Sequence, residues 1–316
     1  MIKIGGVSLD VSHPLGFCEE LEKYCMDMKY EYVAKASDFR QECEVDWFVK
    51  RFNLAGKVDK IEDMVDKVDV GFIQSCNWDK HLEQAMPFIK AGKPVFIDKP
   101  VIGNLKDAET LKKLVDDGAY IIGSSSARHA DEIQAFLKKP VEERGEILSI
   151  FGTCGVDEFN YSIHIVEIFA EIAGCKAVSC SYNGKCVASD GKHVESYTIK
   201  FENGIIATYN TFIGGWRPFH LTIMTTKGSY QIAVDSSKIY VALLRELYRE
   251  LTYIKSNLAS IDDLINCSLI MLCGKKSRDE LNGKEVSLNE LTYEDKYDGY
   301  EFEKEYGARA SIIYKD

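Results

Sequence analysis

AGKPVFIDKP, residues Ala91–Pro100, joins a helix end, a buried strand and a lysine placed where the strand emerges. Gly92 is the residue that most readily takes the left-handed conformation that stops a helix. Val95-Phe96-Ile97 is a short apolar run suited to a strand buried on both faces. Asp98, Lys99 and Pro100 follow at its carboxyl end. Ligands of open parallel α/β sheets sit outside that end, so the Lys99 ammonium is expected to project into a binding site. Pro100 restricts the backbone of Lys99 as well as its own.

Outward from this stretch, strand and helix signals alternate. Ile2–Val7 reads as the first strand, and Asp10–Pro14 leads into a helix with Ser12 as N-cap and Pro14 in the first turn. Tyr30–Ala36, Val68–Gln74 and Ala119–Gly123 read as further strands, and Leu105–Val115 as a helix stopped by Gly118. Such alternation over residues 1–123 predicts a doubly wound parallel sheet. After it the pattern changes. Ile147–Gly152, Ala177–Tyr182, Glu195–Phe201, Ile205–Phe212 and Leu221–Thr226 read as strands, with Asn203-Gly204 as a hairpin turn. That run predicts an α+β region, residues 124–316, built on a largely antiparallel open sheet. A helix carrying His164 and Glu167 turns Ile163, Val166, Phe169 and Ala170 toward it. Arg245–Leu258 and Ser260–Cys273 read as helices, and the Tyr-rich acidic tail from Leu291 carries no motif.

The chain has 316 residues, enough for two domains with a core each, and a formal charge of −11. That charge argues against a nucleic-acid surface. No apolar run approaches the roughly 20 residues of a membrane span, and Met1 leads straight into a strand, so a soluble cytoplasmic protein is expected. The ten cysteines include no CxxC pair, so no metal site is expected and most thiols should be small buried apolar groups.

AGKPVFIDKP resembles the AGKHVxxEKP signature of the Gfo/Idh/MocA family of NAD(P)-dependent oxidoreductases. Ser75–Ala85 resembles that family's TPxxxHxEQA segment with one extra residue, and Gly123–Arg128 its strand followed by an arginine-bearing loop. Asn160–Glu167 resembles the DxxxHxxD motif of its second domain. The four segments occur in family order over roughly the whole chain.

The resemblance implies a Rossmann-type dinucleotide-binding domain over residues 1–123 and a substrate and oligomerisation domain over 124–316. It implies NAD or NADP as cofactor, and hydride transfer to or from a sugar, cyclitol or related polyol with Lys99 and His164 as the acid–base pair. Gly6, Ser12, His13, Asp38, Ser75, Asn77, His81 and Asp98 would lie along the cofactor, and Arg128, Asn160 and Tyr161 along the substrate. The outer face of the second sheet would join copies into a homodimer or homotetramer.

Three departures stand out. The GxGxxG fingerprint is absent: Val7 and Asp10, or Ser8 and Val11, stand where the second and third glycines belong. Asp10 is moreover an anion beside the expected diphosphate, unfavourable unless it turns away, although amides at the helix start, Ser12 and His13 remain as donors. Asp38 is displaced from the usual ribose-binding acid, and Lys35 and Arg40 are alternative partners for a 2′-phosphate, so NAD and NADP both stay open. At the second motif Asn160 replaces the family's aspartate and can hydrogen-bond but neither take a proton nor stabilise an imidazolium by charge. These departures keep a non-catalytic dinucleotide- or sugar-binding sensor of the same fold as the alternative reading.

Overall fold

The computed structural model describes residues 1–35 and 39–309, apart from the side chain of Arg309. The chain divides into two compact units. The first holds Met1–Ser124, Leu244–Ile261 and the segment from Asp298, and the second holds Ser125–Leu243 and Asp262–Tyr297. Two segments from late in the chain thus join the first unit, which sequence patterning did not indicate.

The first unit alternates β1 (Ile2–Val7), α1 (His13–Lys23), β2 (Met28–Ala34), α2 (Glu42–Arg51), β3 (Gly56–Val58), α3 (Glu62–Val65) and β4 (Val70–Ile73). It continues through α4 (His81–Lys90), β5 (Val95–Ile97), α5 (Leu105–Asp116) and β6 (Ile121–Gly123). The six strands lie in the order β3-β2-β1-β4-β5-β6, and every pairing is parallel. The order reverses between β1 and β4, the switch point at which such sheets bind ligands. All residues of β4 and β5 are buried, the pattern of strands covered on both faces. Phe72 and Phe96 meet at 4.9 Å between ring centroids, each contributing roughly 2–3 kcal/mol by burial. Gly6 belongs to this packing: a Cβ there would come within 2.8 Å of the Tyr30 ring.

The second unit carries α6 (Asp131–Leu137), α7 (Val141–Arg144), β7 (Ile147–Val156), α8 (Ile163–Ala173), β8 (Ala177–Val187), β9 (His193–Phe201) and β10 (Ile206–Ile213). β11 (His220–Thr225) and β12 (Gly228–Ala233) follow, and α9 (Ile239–Leu251) leads the chain back to the first unit. α10 (Ile261–Asp279) and β13 (Val286–Ser287) belong to the second unit, and α11 (Gly299–Arg309) to the first. The sheet order is β12-β11-β7-β10-β9-β8-β13, antiparallel throughout except for β7 with β10. α8 presses on β7 where Gly152 leaves room, since a Cβ there would lie 2.8 Å from Ile165 and 2.9 Å from Phe169. Gly174, at φ +67°, stops the helix. On the sheet's other face Phe151, Ile206 and Met224 stay 41%, 45% and 53% exposed.

Patterning set element type better than element ends. The helix expected at Arg245–Leu258 is α9, six residues earlier at its start. β3 and β12 were not anticipated; with three and six residues and mostly half-exposed or exposed faces, neither carries a strong apolar signal. α11 lies in the tail that carried no motif.

Candidate active site

In the first unit the loop after β1 is held by one contact of its own and by groups from outside it. Ser8 takes φ +79° and accepts the Asp10 N–H on its Oγ at 3.0 Å. Arg40, buried, donates from Nε to the Leu9 carbonyl at 2.9 Å and from Nη2 to the Asp10 carbonyl at 2.8 Å. Its Nη1 pairs with Glu44 at 3.1 Å. The expectation of Arg40 as a 2′-phosphate ligand is therefore corrected: its guanidinium braces the loop that lacks the glycines. Asp10 is fully buried and turned toward the end of β4, where its Oδ2 accepts the Cys76 N–H at 3.2 Å.

α1 starts at His13. Ser12 occupies the N-cap position in helical conformation and makes no side-chain cap, contrary to expectation. The His13 ring does more: its Nδ1 lies 2.5 Å from Asp98 Oδ2, while Asp98 Oδ1 accepts the backbone N–H of Lys99 at 2.8 Å. Burial pushes the Asp98 carboxyl up, but His13 and Lys99 beside it outweigh that and hold it below the ordinary carboxylate range. Lys99 is itself buried, at the exit of β5. The start of α1 and the turn after β5 are thus one connected structure.

The residues after β4 are occupied by local and C-terminal partners. Ser75 Oγ donates to Gln84 at 2.7 Å. His81 places Nε2 2.9 Å from the Ser75 carbonyl, and burial lowers its pKa, which fits a helix-start residue bound to backbone. Asn77 accepts the Asp79 N–H and donates to Glu303 of α11 at 2.9 Å. Lys80 pairs with the same carboxylate at 2.8 Å, and Phe302 packs on Trp78 at 4.9 Å. Gly299 permits this approach, because a Cβ would fall 2.3 Å from Asn77 Oδ1. Asp10, Cys76 and Glu303 bring their oxygen and sulfur atoms within 4.8 Å of one another. Burial and then Asp10 and Glu303 push the Cys76 thiol far up, so it stands between the carboxylates as a neutral group. Asp38 lies outside the described residues.

In the second unit the candidate residues gather at the start of α8. Asp157 accepts from the Tyr161 N–H at 2.8 Å and from Asn160 Nδ2 at 3.3 Å. His164 is buried, with Tyr161 and Phe219 edge-on to its ring at 5.4 and 5.5 Å. Ser125 Oγ lies 2.5 Å from His164 Nδ1, and the Ser125 N–H donates to Glu167 at 2.8 Å. Arg128 is a buried ion pair with Glu171 at 2.7 Å and also donates to the Glu167 carbonyl. Burial, with Arg128 beside it, pushes His129 down to about 3 and keeps it neutral. Sequence reading missed Ser125 and Glu303. Ser125 is one of three consecutive serines, and Glu303 one of many tail acids; neither carries a local signal.

Residues 31–123 match the model of the GFO_IDH_MocA family, described as an oxidoreductase family with an NAD-binding Rossmann fold. No curated protein matches the chain in sequence. Solved structures match in fold. A probable dehydrogenase from Thermotoga maritima superposes with TM-score 0.77 at 15% identity, over 92% of this chain and 100% of that one. A myo-inositol dehydrogenase from Lactobacillus casei, in complex with NAD(H) and myo-inositol, gives 0.77 at 14% identity over 91% and 96%. A scyllo-inositol dehydrogenase from the same organism, with NAD(H) and scyllo-inositol, gives 0.75 at 17% over 92% and 99%. Residues 31–123 thus match the NAD-binding Rossmann model of the Gfo/Idh/MocA oxidoreductase family, and the chain as a whole shares the fold of the inositol dehydrogenases it resembles.

Proposed function

We propose that this protein is an NAD(P)-dependent oxidoreductase moving hydride between the nicotinamide and a sugar, cyclitol or related polyol. The observation that carries the reading is Lys99, buried at the carboxyl end of β5 one strand from the switch point, in a turn fixed by Asp98 and His13. The cofactor's diphosphate would meet the start of α1 beside the switch point, where a helix N-terminus favours an anion and Asp10 is turned onto the Cys76 amide. Ser12, His13, Asn77 and Asp98, which follow β1, β4 and β5 in the chain, would hold the cofactor, which when bound supplies the hydride acceptor or donor.

In oxidation a hydroxyl proton must leave as hydride departs from carbon. The Lys99 ammonium stabilises the negative charge that develops on that oxygen. His164 takes the proton on its imidazole and returns it in the reverse direction. Asn160, joined to Asp157, and Tyr161 orient hydroxyl groups of the substrate; Arg128, committed to Glu171, shapes the site through Glu167. We place the protein in the cytoplasm, where its ten cysteines would stay reduced. Among the described residues no helix is long and apolar enough to cross a membrane. The exposed Phe151, Ile206 and Met224 support pairing of copies through the second sheet, as a homodimer or homotetramer; light scattering that finds only monomer at micromolar concentration would sink that part.

The deciding experiment is calorimetry with NAD, NADH, NADP and NADPH, followed by a polyol and sugar panel read at the NADH absorbance with Lys99→Ala as control. Binding of one cofactor pair and Lys99-dependent turnover are expected. A well-folded sample that binds none of the four would replace this reading with the sensor, which the Asp10 and Glu303 carboxylates beside the switch point favour.

A further inference from the structure

We infer that Ser125 is a positioning residue that sets the working tautomer of His164, an inference that rests on His164 being the proton-transferring base of the proposed function. Ser125 follows β6 in extended conformation, at φ −70° and ψ 133°, and is fully buried. It is fastened to α8 at two points. Its N–H donates to Glu167 Oε2 at 2.8 Å and its Oγ lies 2.5 Å from His164 Nδ1. Glu167 and His164 are three residues apart, on one face of the helix. Ser125 is therefore located by one of these side chains and orients the other.

The helix that presents the ring has little freedom, because Ile165 and Phe169 fill the space over Gly152. Tyr161 and Phe219 confine the ring plane edge-on. The remaining variable is which nitrogen carries the proton, and in a neutral imidazole the partner of one nitrogen decides it. To accept a proton from a hydroxyl, His164 needs its lone pair on Nε2. Nδ1 must then carry hydrogen and donate it to Ser125 Oγ. A serine oxygen accepts that bond in both the neutral and the cationic ring, so the contact persists while the proton comes and goes at Nε2. Asn160, at the place of the family's aspartate, is drawn to Asp157; the orienting acceptor on the ring is supplied by the strand end at Ser125.

The test is long-range proton–nitrogen NMR on full-length protein labelled with 15N-histidine, which has six histidines to assign by substitution. Native protein is expected to show His164 with a protonated Nδ1 and an unprotonated Nε2. Ser125→Ala should shift it toward the Nε2–H form, and Ser125→Thr, which keeps the hydroxyl, should restore the native signal. An Nε2–H ring in native protein, or identical His164 signals in native protein and Ser125→Ala, would overturn the inference. In turnover, Ser125→Ala should lower kcat roughly tenfold with KM unchanged and Ser125→Thr should recover it; a rise in KM alone counts against it. The NMR outcome stands whether or not any polyol is turned over, so failure of the tautomer and failure of the oxidoreductase reading are told apart.

Discussion

Two turns at the carboxyl edge of one sheet, the loop after β1 and the turn after β5, are built in opposite ways. The β5 turn is local: Asp98 accepts the N–H of the residue after it, and Pro100 follows at once. The β1 loop is assembled from afar, by Arg40 reaching Leu9 and Asp10, by the Cys76 amide on Asp10, and by Glu303 near both. A loop with three glycines closes on its own backbone. Without them, this loop is shaped largely by groups belonging to other elements. His13 and Asp98 then join the two constructions.

The comparison breaks most visibly at Lys99. Lys99→Ala should abolish turnover by roughly a thousandfold or more while leaving dinucleotide affinity within a fewfold, since under the proposed function it removes the charge that stabilises the reacting oxygen and none of the groups assigned to the cofactor phosphates. Equal loss of both, measured by steady-state kinetics and calorimetry, would mean the β5 turn is a binding element instead. Next in size is Arg40→Ala. It strips donors from two carbonyls and leaves Glu44 without its buried partner, which should cost about 2–4 kcal/mol in urea unfolding and weaken dinucleotide binding along with it. Unchanged stability would show that the loop closes without its brace.

What could be read beforehand follows the same division. Val95–Ile97 and Gly92 announced their element within ten residues, because burial on both faces and a helix stop are short-range demands. The alternation giving the parallel sheet, and the strand run giving the second sheet, are likewise local signals repeated. Arg40 was legible as a cation near the cofactor region but not as a brace, because its partners lie about thirty residues back in the chain. Glu303 meets Asn77 across 226 positions, which no periodicity reports. Ser125 illustrates the same limit from the other side: its three-serine run is unremarkable until α8 brings His164 against it.

The joint between the turns is the next test. Asp98 has its pKa depressed in the folded protein, so its stabilisation is present above the ordinary carboxylate value near 4 and is lost as pH falls below it. Asp98→Asn should therefore be less stable than native protein by about 1–2 kcal/mol at pH 7, with the gap narrowing below about pH 4. Urea midpoints at pH 7 and pH 3.5 measure it, and a gap that widens in acid would contradict the assignment of the pair.

The smallest expected effect bears on the proposed dinucleotide site at the glycine-free loop. Glu303 brings a second carboxylate beside Asp10 at the end of β4, and Lys80 offsets only part of that charge because it is one cation against two anions. A diphosphate approaching the start of α1 meets this field. Removing one unit of charge while keeping the shape, in Glu303→Gln, should tighten NAD binding about threefold to tenfold at low salt, and the gain should shrink as ionic strength rises toward 1 M, where charges are screened within about 3 Å. The amide retains an oxygen for Asn77, so α11 stays seated through Trp78 and Phe302. Weaker binding at every salt concentration would reverse the reading: Glu303 would then hold the cofactor directly, and the β1 loop would have replaced its glycines with a C-terminal helix as a wall of the site.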